Sequence, residues 1–229
     1  MEISALALSK IKVMISSRCL DPFPVGGDLL SVARLRLKAE IEAQTLWGEP
    51  IFEVWINEVA PPDEGTDDSW DVCMRQVRDC DILIALSNGN AGWSARGGDV
   101  GICHAELMTA LESAPAKVRL VSLGNVATDG SAQGQRNQRF QDYLNTRSLF
   151  RGASVVTVAD LDERVHEAVL DALTRLTGLG VREALRGRYY SGEALDWMRL
   201  DFATRQARIR ETIVEALEAK LDGWFVAHG

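Results

Sequence analysis

The sequence predicts an α/β protein built on a doubly wound parallel sheet, and three observations support this prediction. Short apolar runs alternate with amphipathic helical segments from Ile11 to Leu176, which is the order of elements in parallel sheets. The run Ile82–Leu86 carries no charged residue, as expected of a strand buried on both faces. The loop 87–98 that follows contains four glycines and two asparagines. Open α/β sheets bind ligands in such loops, beyond the carboxyl ends of the strands.

The first half of the chain supplies three of the predicted strands. Pro22 and Pro24 keep the first loop out of helix, and Gly48 with Pro50 is expected to end the first helix. Strands are assigned from apolar and β-branched runs, and helices from apolar residues at helical spacing. The predicted elements are, in order, a strand at Ile11–Ile15, a helix from Asp28 to about Leu46, a strand at Ile51–Ile56, a helix at Trp70–Arg78 and a strand from Asp81.

The second half continues the same alternation. Asp99 is placed to cap the helix that carries Glu106. Asp160 is placed to cap a later helix, which we expect to end at Gly178 and Gly180. The remaining predicted elements are a strand at Val118–Leu123, a mobile polar surface loop at Asn125–Gln138, a short helix at Phe140–Asn145 and a strand at Ser154–Val158.

This order of elements predicts an α/β domain over residues 8–178, followed by a linker and helical extension over residues 179–229. Five parallel strands in the order 2-1-3-4-5 make the predicted sheet flavodoxin-like. In that order the carboxyl ends of the first and third strands lie side by side at the topological switch point. The residues expected to meet across this crevice are Ser16, Ser17, Arg18, Ser87, Asn88 and Glu106.

The composition is typical of a soluble protein of the cytoplasm. A net charge of -8 and a pI near 5.0 disfavour binding to the nucleic-acid backbone. No apolar run approaches the ~20 residues that span a bilayer, and Met1–Lys10 lacks the regions of a signal peptide. The four cysteines form no CxxC pair, so we expect reduced thiols rather than a metal site.

Glu106 is the candidate catalytic residue. On a helix it lies about 60° from Cys103 and about 100° from Leu107, at the border of the buried stripe, so its carboxylate can face a cleft. Trp70 and Trp93 are candidates for stacking on a ring. More ordinary roles are open for these and neighbouring residues: a solvated Glu106, backbone capping by Ser16 and Ser17, an ion pair of Arg18 with Asp79 or Asp81, packing of Trp93 on its loop, and a surface position for His104.

Several short motifs resemble one family. They are Lys12-Val-Met-Ile-Ser-Ser-Arg18, the stretch around Glu53, Val72-Cys73 with Val77-Arg-Asp-Cys-Asp81, and Ala105-Glu106-Leu107. Over Ile11–Leu176 the chain resembles the TIR-like domain of otherwise unknown function at the N termini of bacterial and animal STAND-type signalling NTPases. It is also similar to catalytic TIR domains, whose helix bears Trp-Xaa-Xaa-Xaa-Glu-Leu. Here Ile102 stands at the tryptophan position, a departure that weakens the transfer of activity.

The resemblance implies that Glu106 cleaves NAD between ribose and nicotinamide, with NAD as the substrate and no cofactor. The chemistry suits a single carboxylate, because nicotinamide leaves as a neutral group and positive charge develops on the ribose. Arg18 would pair with the diphosphate. The other expected substrate contacts are Ser16, Ser17, Ser87, Asn88, Trp70 and Trp93.

The functional expectation is therefore a TIR-like NAD glycohydrolase that acts as an effector in bacterial immune or stress signalling. One alternative is a non-catalytic TIR-like adapter that mediates assembly. Another is an enzyme similar to nucleoside deoxyribosyltransferases, which also place a helix-borne glutamate near a ribose. A Ser-His-Asp hydrolase is disfavoured, because no Gly-Xaa-Ser-Xaa-Gly elbow occurs.

A second long helix is predicted at Glu193–Leu221, with a large apolar surface. Its possible anchors are Trp197, Leu200, Ile209, Ile213 and Leu217, extended by Trp224-Phe225-Val226. An apolar patch of this size is unusual on a soluble monomer. We therefore expect self-association through this helix, with docking on its own domain, or on a downstream NTPase or sensor domain, as the alternatives.

Overall fold

The computed structural model describes residues 10–59, 69–95, 98–147, 154–189 and 200–228, without the side chains of 184–189, 216 and 219–228. It divides into two compact units, Met1–Leu176 and Thr177–Gly229. The stretch 60–68, Trp197 and the side chains of 224–226 lie outside the described residues.

The first unit is organised by a four-stranded parallel sheet. The described strands are β1 (Ile11–Ser17), β2 (Thr45–Leu46), β3 (Glu49–Pro50), β4 (Phe52–Trp55), β5 (Ile82–Ser87) and β6 (Val118–Ser122). The sheet has the order β4-β1-β5-β6, and each neighbouring pair is parallel. The predicted α/β class and the predicted order of the first four long strands are confirmed.

Helices cover both faces of this sheet. The described α-helices are α1 (Leu30–Glu42), α2 (Ser69–Asp79), α3 (Ile102–Ser113), α4 (Ala132–Thr146), α5 (Val158–Tyr189) and α6 (Phe202–His228). Because side chains alternate along a strand, Val13 and Ile15 of β1 pack with α1 and α5 on one face. Met14 packs with α2, α3 and α4 on the other.

The end of the first helix differs from the prediction. Helix α1 ends at Glu42 rather than near Leu46, and the chain then forms the antiparallel hairpin β2–β3. Trp47 and Gly48 at its tip have φ angles of 51° and 89°. Two consecutive positive φ angles are typical of the tight turn that joins two short strands. The hairpin around Gly48 therefore ends the helix earlier in the chain than its apolar periodicity predicted.

The predicted fifth strand is not among the strands of the described residues. Val155 N–H donates to Ser122 O at 2.8 Å, so the chain runs beside β6 at one point. Thr157 Oγ1 then accepts from Asp160 N–H at 3.1 Å, and α5 begins at Val158. Thr157, not Asp160, therefore caps this helix. Because the helix begins at Val158, too few residues remain to form a fifth strand paired with β6.

Two further helix predictions were wrong. Helix α5 continues through Gly178 and Gly180 to Tyr189, because a glycine in a helix interior costs only about 1 kcal/mol. Helix α4 begins at Ala132, inside the predicted polar loop. Ser131 caps it, since its side chain accepts from Gly134 N–H at 3.0 Å.

The second unit contains the end of α5 and all of α6. Helix α6 confirms the predicted helix over 202–221 and extends it to His228, while 193–199 lie outside the described residues. The side chains of Ile209, Ile213 and Leu217 recur every fourth residue and are all exposed. No helix among the described residues is long and apolar enough to cross a membrane.

Candidate functional site

The loop after β5 holds the first turn of α3 close to the sheet. Ile102 N–H donates to Trp93 O at 2.8 Å, and Cys103 N–H donates to Ala91 O at 3.0 Å. A Cβ atom on Gly101 would collide with the backbone of Ala91, so only glycine permits this approach. Gly101 is the N-cap residue of α3, and Asp99, the predicted cap, is instead paired with Arg139.

Glu106 lies on the second turn of α3 and meets the carboxyl end of β1. Ser16 Oγ donates a hydrogen bond to Glu106 Oε2, and each residue is only 5% exposed. Ser16 lies opposite Ala85 in the parallel pairing of β1 with β5. The predicted juxtaposition of Ser16 and Glu106 at the switch point is confirmed, and the alternative of a solvated Glu106 is wrong.

The surroundings of Glu106 disfavour its charged form. Burial raises the pKa of Glu106, while the Ser16 hydrogen bond, the charge of Arg34 and the Cys73 thiol oppose that rise. Arg34 is itself buried and committed elsewhere, with Nη2 at 3.1 Å from Glu58 Oε2 and Nη1 donating to Ser17 O at 3.4 Å. Within the described part of the chain, Glu106 is therefore a buried carboxylate without an ion-pair partner of its own.

Two buried thiols accompany this carboxylate. Burial, followed by the charge of Glu106, raises the pKa of both Cys73 and Cys103. These cysteines are therefore protonated at neutral pH and are poor nucleophiles. We name Ser16, Arg34, Cys73, Cys103 and Glu106 the Glu106 cluster.

Three of the four sheet strands end on a serine, and one of the three hydroxyls is uncommitted. Ser87 Oγ accepts from Gly89 N–H at 3.2 Å, and Ser122 Oγ accepts from Gly124 N–H at 3.3 Å. Ser17 Oγ is buried and has no hydrogen-bond partner among the described residues. Ser87 thus has a structural turn contact, whereas Ser17 leaves a buried polar atom unused, which needs an explanation.

Arg18 follows Ser17 directly and has no ion pair within the described part of the chain. The alternative of a pair with Asp79 or Asp81 is not observed, since the Asp81 carboxylate accepts from Lys12 N–H at 2.8 Å. Arg18 is half-buried. It therefore places an unneutralised cation next to the orphaned hydroxyl of Ser17.

Asp21, which was not among the predicted site residues, organises the loop after β1. Asp21 Oδ2 accepts from Asn88 Nδ2 at 2.7 Å and from Asn90 Nδ2 at 2.9 Å. Gln133 Nε2 in turn donates to Asn90 Oδ1 at 3.2 Å. Asn88, predicted to bind substrate, thus holds Asp21 in place. The Asn-Gly-Asn run was the available signal, but its partner lies 67 residues away.

The two predicted aromatic residues contact each other. The Trp70 and Trp93 rings lie 5.8 Å apart between centroids at an interplanar angle of 76°, an edge-to-face arrangement. Trp93 is still 38% exposed. The pair stands at the start of α3, since Trp93 O accepts from Ile102 N–H.

His104 is buried, so the expectation of a surface histidine was wrong. Its ring centroid lies 5.0 Å from that of Phe140 and 4.8 Å from that of Tyr143. Burial, and secondarily the charge of Arg139, lowers the pKa of His104. This residue belongs to the packing of α3 against α4. Among the described residues, no group of three or more side chains is arranged to hold a metal ion.

No protein-family model matches the chain, and no curated protein matches its sequence. The resemblance to TIR-like domains therefore stays a prediction from the residues quoted above. Two regions beyond the carboxyl ends of the strands carry the candidate functional residues. These are the Glu106 cluster and the loop that Asp21 organises.

Proposed function

We propose that the chain is a TIR-like NAD glycohydrolase, a cytoplasmic effector of bacterial immune or stress signalling that releases nicotinamide from NAD. The observation that carries the proposal is the contact of Ser16 with the buried Glu106 at the switch point. A buried carboxylate with a raised pKa and no ion-pair partner costs stability. Such groups cluster at functional sites.

The reaction breaks the bond between C1′ of the ribose and the pyridinium nitrogen. The bonding electrons leave with nicotinamide, which departs neutral, and a water oxygen then bonds to C1′ and loses a proton. Glu106 supplies negative potential beside the positive charge that develops on the ribose, in an environment where water screens it little. A second carboxyl group acting as a general acid is not needed, because the leaving group requires no protonation.

Ser17 and Arg18 supply the polar contacts on the same loop. The buried Ser17 hydroxyl lacks a partner among the described residues and is available to a ribose hydroxyl. The guanidinium of Arg18 is suited to a diphosphate, because it can donate two parallel hydrogen bonds to its oxygens. Trp93, which is partly exposed beside Trp70, offers a ring face or edge to nicotinamide.

Access to Glu106 requires a conformational step, because its side chain is buried. Substrate binding or self-association would have to open the Glu106 cluster. We include dependence on assembly in the proposal for this reason. The exposed apolar residues of α6 provide a surface for such assembly.

The test is NAD consumption by the purified chain over a range of protein concentrations, with nicotinamide and ADP-ribose quantified by chromatography. We expect turnover that rises more than linearly with protein concentration. Glu106→Gln should lower it by about 10²–10³-fold, the usual cost of losing one transition-state electrostatic contact. Glu112→Gln is the matched control, since Glu112 is exposed on the same helix. Equal activity of the two variants would remove Glu106 from catalysis.

A non-catalytic adapter is the second candidate function. The burial of Glu106 and the exposed Ile209, Ile213 and Leu217 favour it. The adapter would be supported by two results together: light scattering that shows self-association only when residues 193–229 are present, and no NAD loss at any protein concentration. Base exchange between added nucleosides would instead select the enzyme similar to nucleoside deoxyribosyltransferases.

A further inference from the structure

A cavity of about 600 Å³ lies next to Asp21, outside the Glu106 cluster. It is formed by the loops that follow β1, β5 and β6, together with the extended residues Val155 and Val156. Its volume falls in the range of small-molecule sites. Its walls are mainly apolar, from Phe23, Val25, Leu30, Leu123, Val126 and Val156.

Asp21 is the charged residue of this cavity lining. Its Oδ2 atom is held by the Asn88 and Asn90 amides, and no hydrogen bond within the described part of the chain reaches Oδ1. The carboxylate is therefore fixed in place with acceptor capacity to spare. A ligand must present hydrogen-bond donors to it, and a pair of neighbouring hydroxyl groups meets that requirement.

Asn125 is a further polar residue of the lining, beside Asp21, Asn88 and Asn90. Its side chain makes no hydrogen bond with the described residues, so both its amide donor and its amide acceptor are available. An amide of this kind matches the adjacent donor and acceptor on the edge of adenine. Apolar walls, an uncommitted amide and a fixed carboxylate together fit a flat base that carries a ribose.

We propose that this cavity binds the adenosine half of the dinucleotide, with Asp21 accepting hydrogen bonds from the 2′ and 3′ hydroxyls of its ribose. The proposal rests on the proposed function, since it names a subsite for the same substrate. Asp21 N–H donates to Arg18 O at 3.0 Å, so the cation and the carboxylate belong to one turn. The loop thus presents the hydroxyl of Ser17, the guanidinium of Arg18 and the carboxylate of Asp21 in the order of ribose, diphosphate and ribose.

The same arrangement selects against a 2′-phosphate. A phosphate at that position brings negative charge against Asp21 and removes one of the two donors. The cavity lining contains no lysine or arginine to neutralise it. Asp21 therefore makes the site specific for NAD over NADP.

The experiment is calorimetric titration of the full chain with two probes that cannot be cleaved, AMP and adenosine 2′,5′-bisphosphate. We expect AMP to bind at least about tenfold more tightly, the difference expected from a hydrogen bond to a charged group. Asp21→Asn should abolish that preference. Asp28→Asn is the matched control, because Asp28 lies in the same loop but does not line the cavity.

A second variant tests the cavity without disturbing the Asp21 contacts. Val156 is 67% exposed at the cavity wall, so Val156→Trp can fill the cavity from its open side, and we expect it to weaken AMP binding at least about tenfold. Equal affinities of the wild type for the two probes, a preference that survives Asp21→Asn, or unchanged AMP binding by Val156→Trp would each overturn the inference.

The outcomes separate this inference from the proposed function. If the chain cleaves NAD but shows no Asp21-dependent preference for AMP over adenosine 2′,5′-bisphosphate, the glycohydrolase proposal is supported and the adenosine subsite is contradicted. If the chain binds AMP selectively but does not cleave NAD, the adenosine subsite is supported and the glycohydrolase proposal is contradicted. The NADP cleavage rate of Asp21→Asn, relative to its NAD rate, provides a check in the active protein.

Discussion

Opposite ends of the same sheet bury charged side chains, and two of these, Lys117 and Glu106, differ in how their surroundings satisfy them. At the amino end of β6, Lys117 is 4% exposed and donates to three backbone carbonyls. Its Nζ lies 2.6 Å from Val77 O, 3.1 Å from Cys80 O and 3.4 Å from Arg78 O. At the carboxyl end of β1, Glu106 is 5% exposed, and among the described residues it accepts a hydrogen bond from Ser16 Oγ, while the Cys73 thiol also lowers its pKa.

The difference distinguishes a structural charge from a candidate functional one. The ammonium of Lys117 donates to carbonyls at the end of α2, of which Val77 O also accepts from the weaker Cys80 thiol donor at 3.3 Å. The carboxylate of Glu106 has about four acceptor positions, and the Ser16 hydroxyl fills one of them. Burial without full satisfaction is a stability cost, and proteins retain such costs mainly where function requires them.

The largest effect that the comparison predicts is on stability at the lysine end. Lys117→Met should lower the free energy of unfolding by about 3–5 kcal/mol, because it leaves several buried carbonyls without a donor. Urea denaturation measures this directly. Lys12→Met is the control, since Lys12 is exposed and surface changes usually stay within about 0.5 kcal/mol. Similar losses in the two variants would mean that the carbonyls at the end of α2 find other donors.

The next predicted effect is a gain in stability, on replacement of Glu106 at the carboxyl end of the sheet. The pKa of Glu106 is raised by burial above its ordinary value of 4.5, so its contribution to stability is present below that value and is lost as pH rises through the folded-state pKa. Glu106→Gln removes this loss. We expect the variant to have a higher Tm than the wild type at pH 7 and an advantage that disappears towards pH 4.

Thermal unfolding of both proteins across this pH range checks the prediction. Glu112→Gln serves again as the control, because its carboxylate is exposed. An advantage of Glu106→Gln that grows as pH falls would show that the folded state favours the charged form. In that case Glu106 would be a structural charge like Lys117, and the comparison between the two ends would fail.

How much of this could be predicted from the sequence depends on the range of each interaction. The strand order and the approach of Ser16 to Glu106 follow from local periodicity and the handedness of parallel connections. The contacts of Lys117 with Val77 and of Asp21 with Asn88 join residues 40 and 67 positions apart. No local pattern encodes those pairings, because they depend on how the loops close around the finished sheet.

The helix ends show the same limit on a smaller scale. Thr157 and Ser131 are ordinary capping residues, but Asp160 and the polar loop offered competing interpretations. Gly178 carries a typical stop signal, yet α5 passes through it. A glycine in a helix interior costs only about 1 kcal/mol, so Gly178 alone does not end the helix.

The smallest predicted effect tests whether Ser16 tunes Glu106 or only packs beside it. Ser16→Ala removes the hydroxyl that lowers the pKa of Glu106 against the effect of burial, so the pKa should rise further. The expected stability change is about 1 kcal/mol, the usual value for one hydrogen bond.

The informative measurement is therefore the titration of Glu106 itself, followed by ¹³C NMR of its carboxyl carbon in wild type and Ser16→Ala. We expect the midpoint to move to higher pH in the variant and to return towards wild type in Ser16→Thr, which restores a hydroxyl. If the chain cleaves NAD with an ionised Glu106, the acid limb of its pH profile should move in the same direction. A midpoint that stays in place would show that Ser16 does not stabilise the carboxylate. The charge of Arg34, which also lowers the pKa of Glu106, and the opening of the cluster would then have to favour the ionised carboxylate that the reaction at the ribose needs.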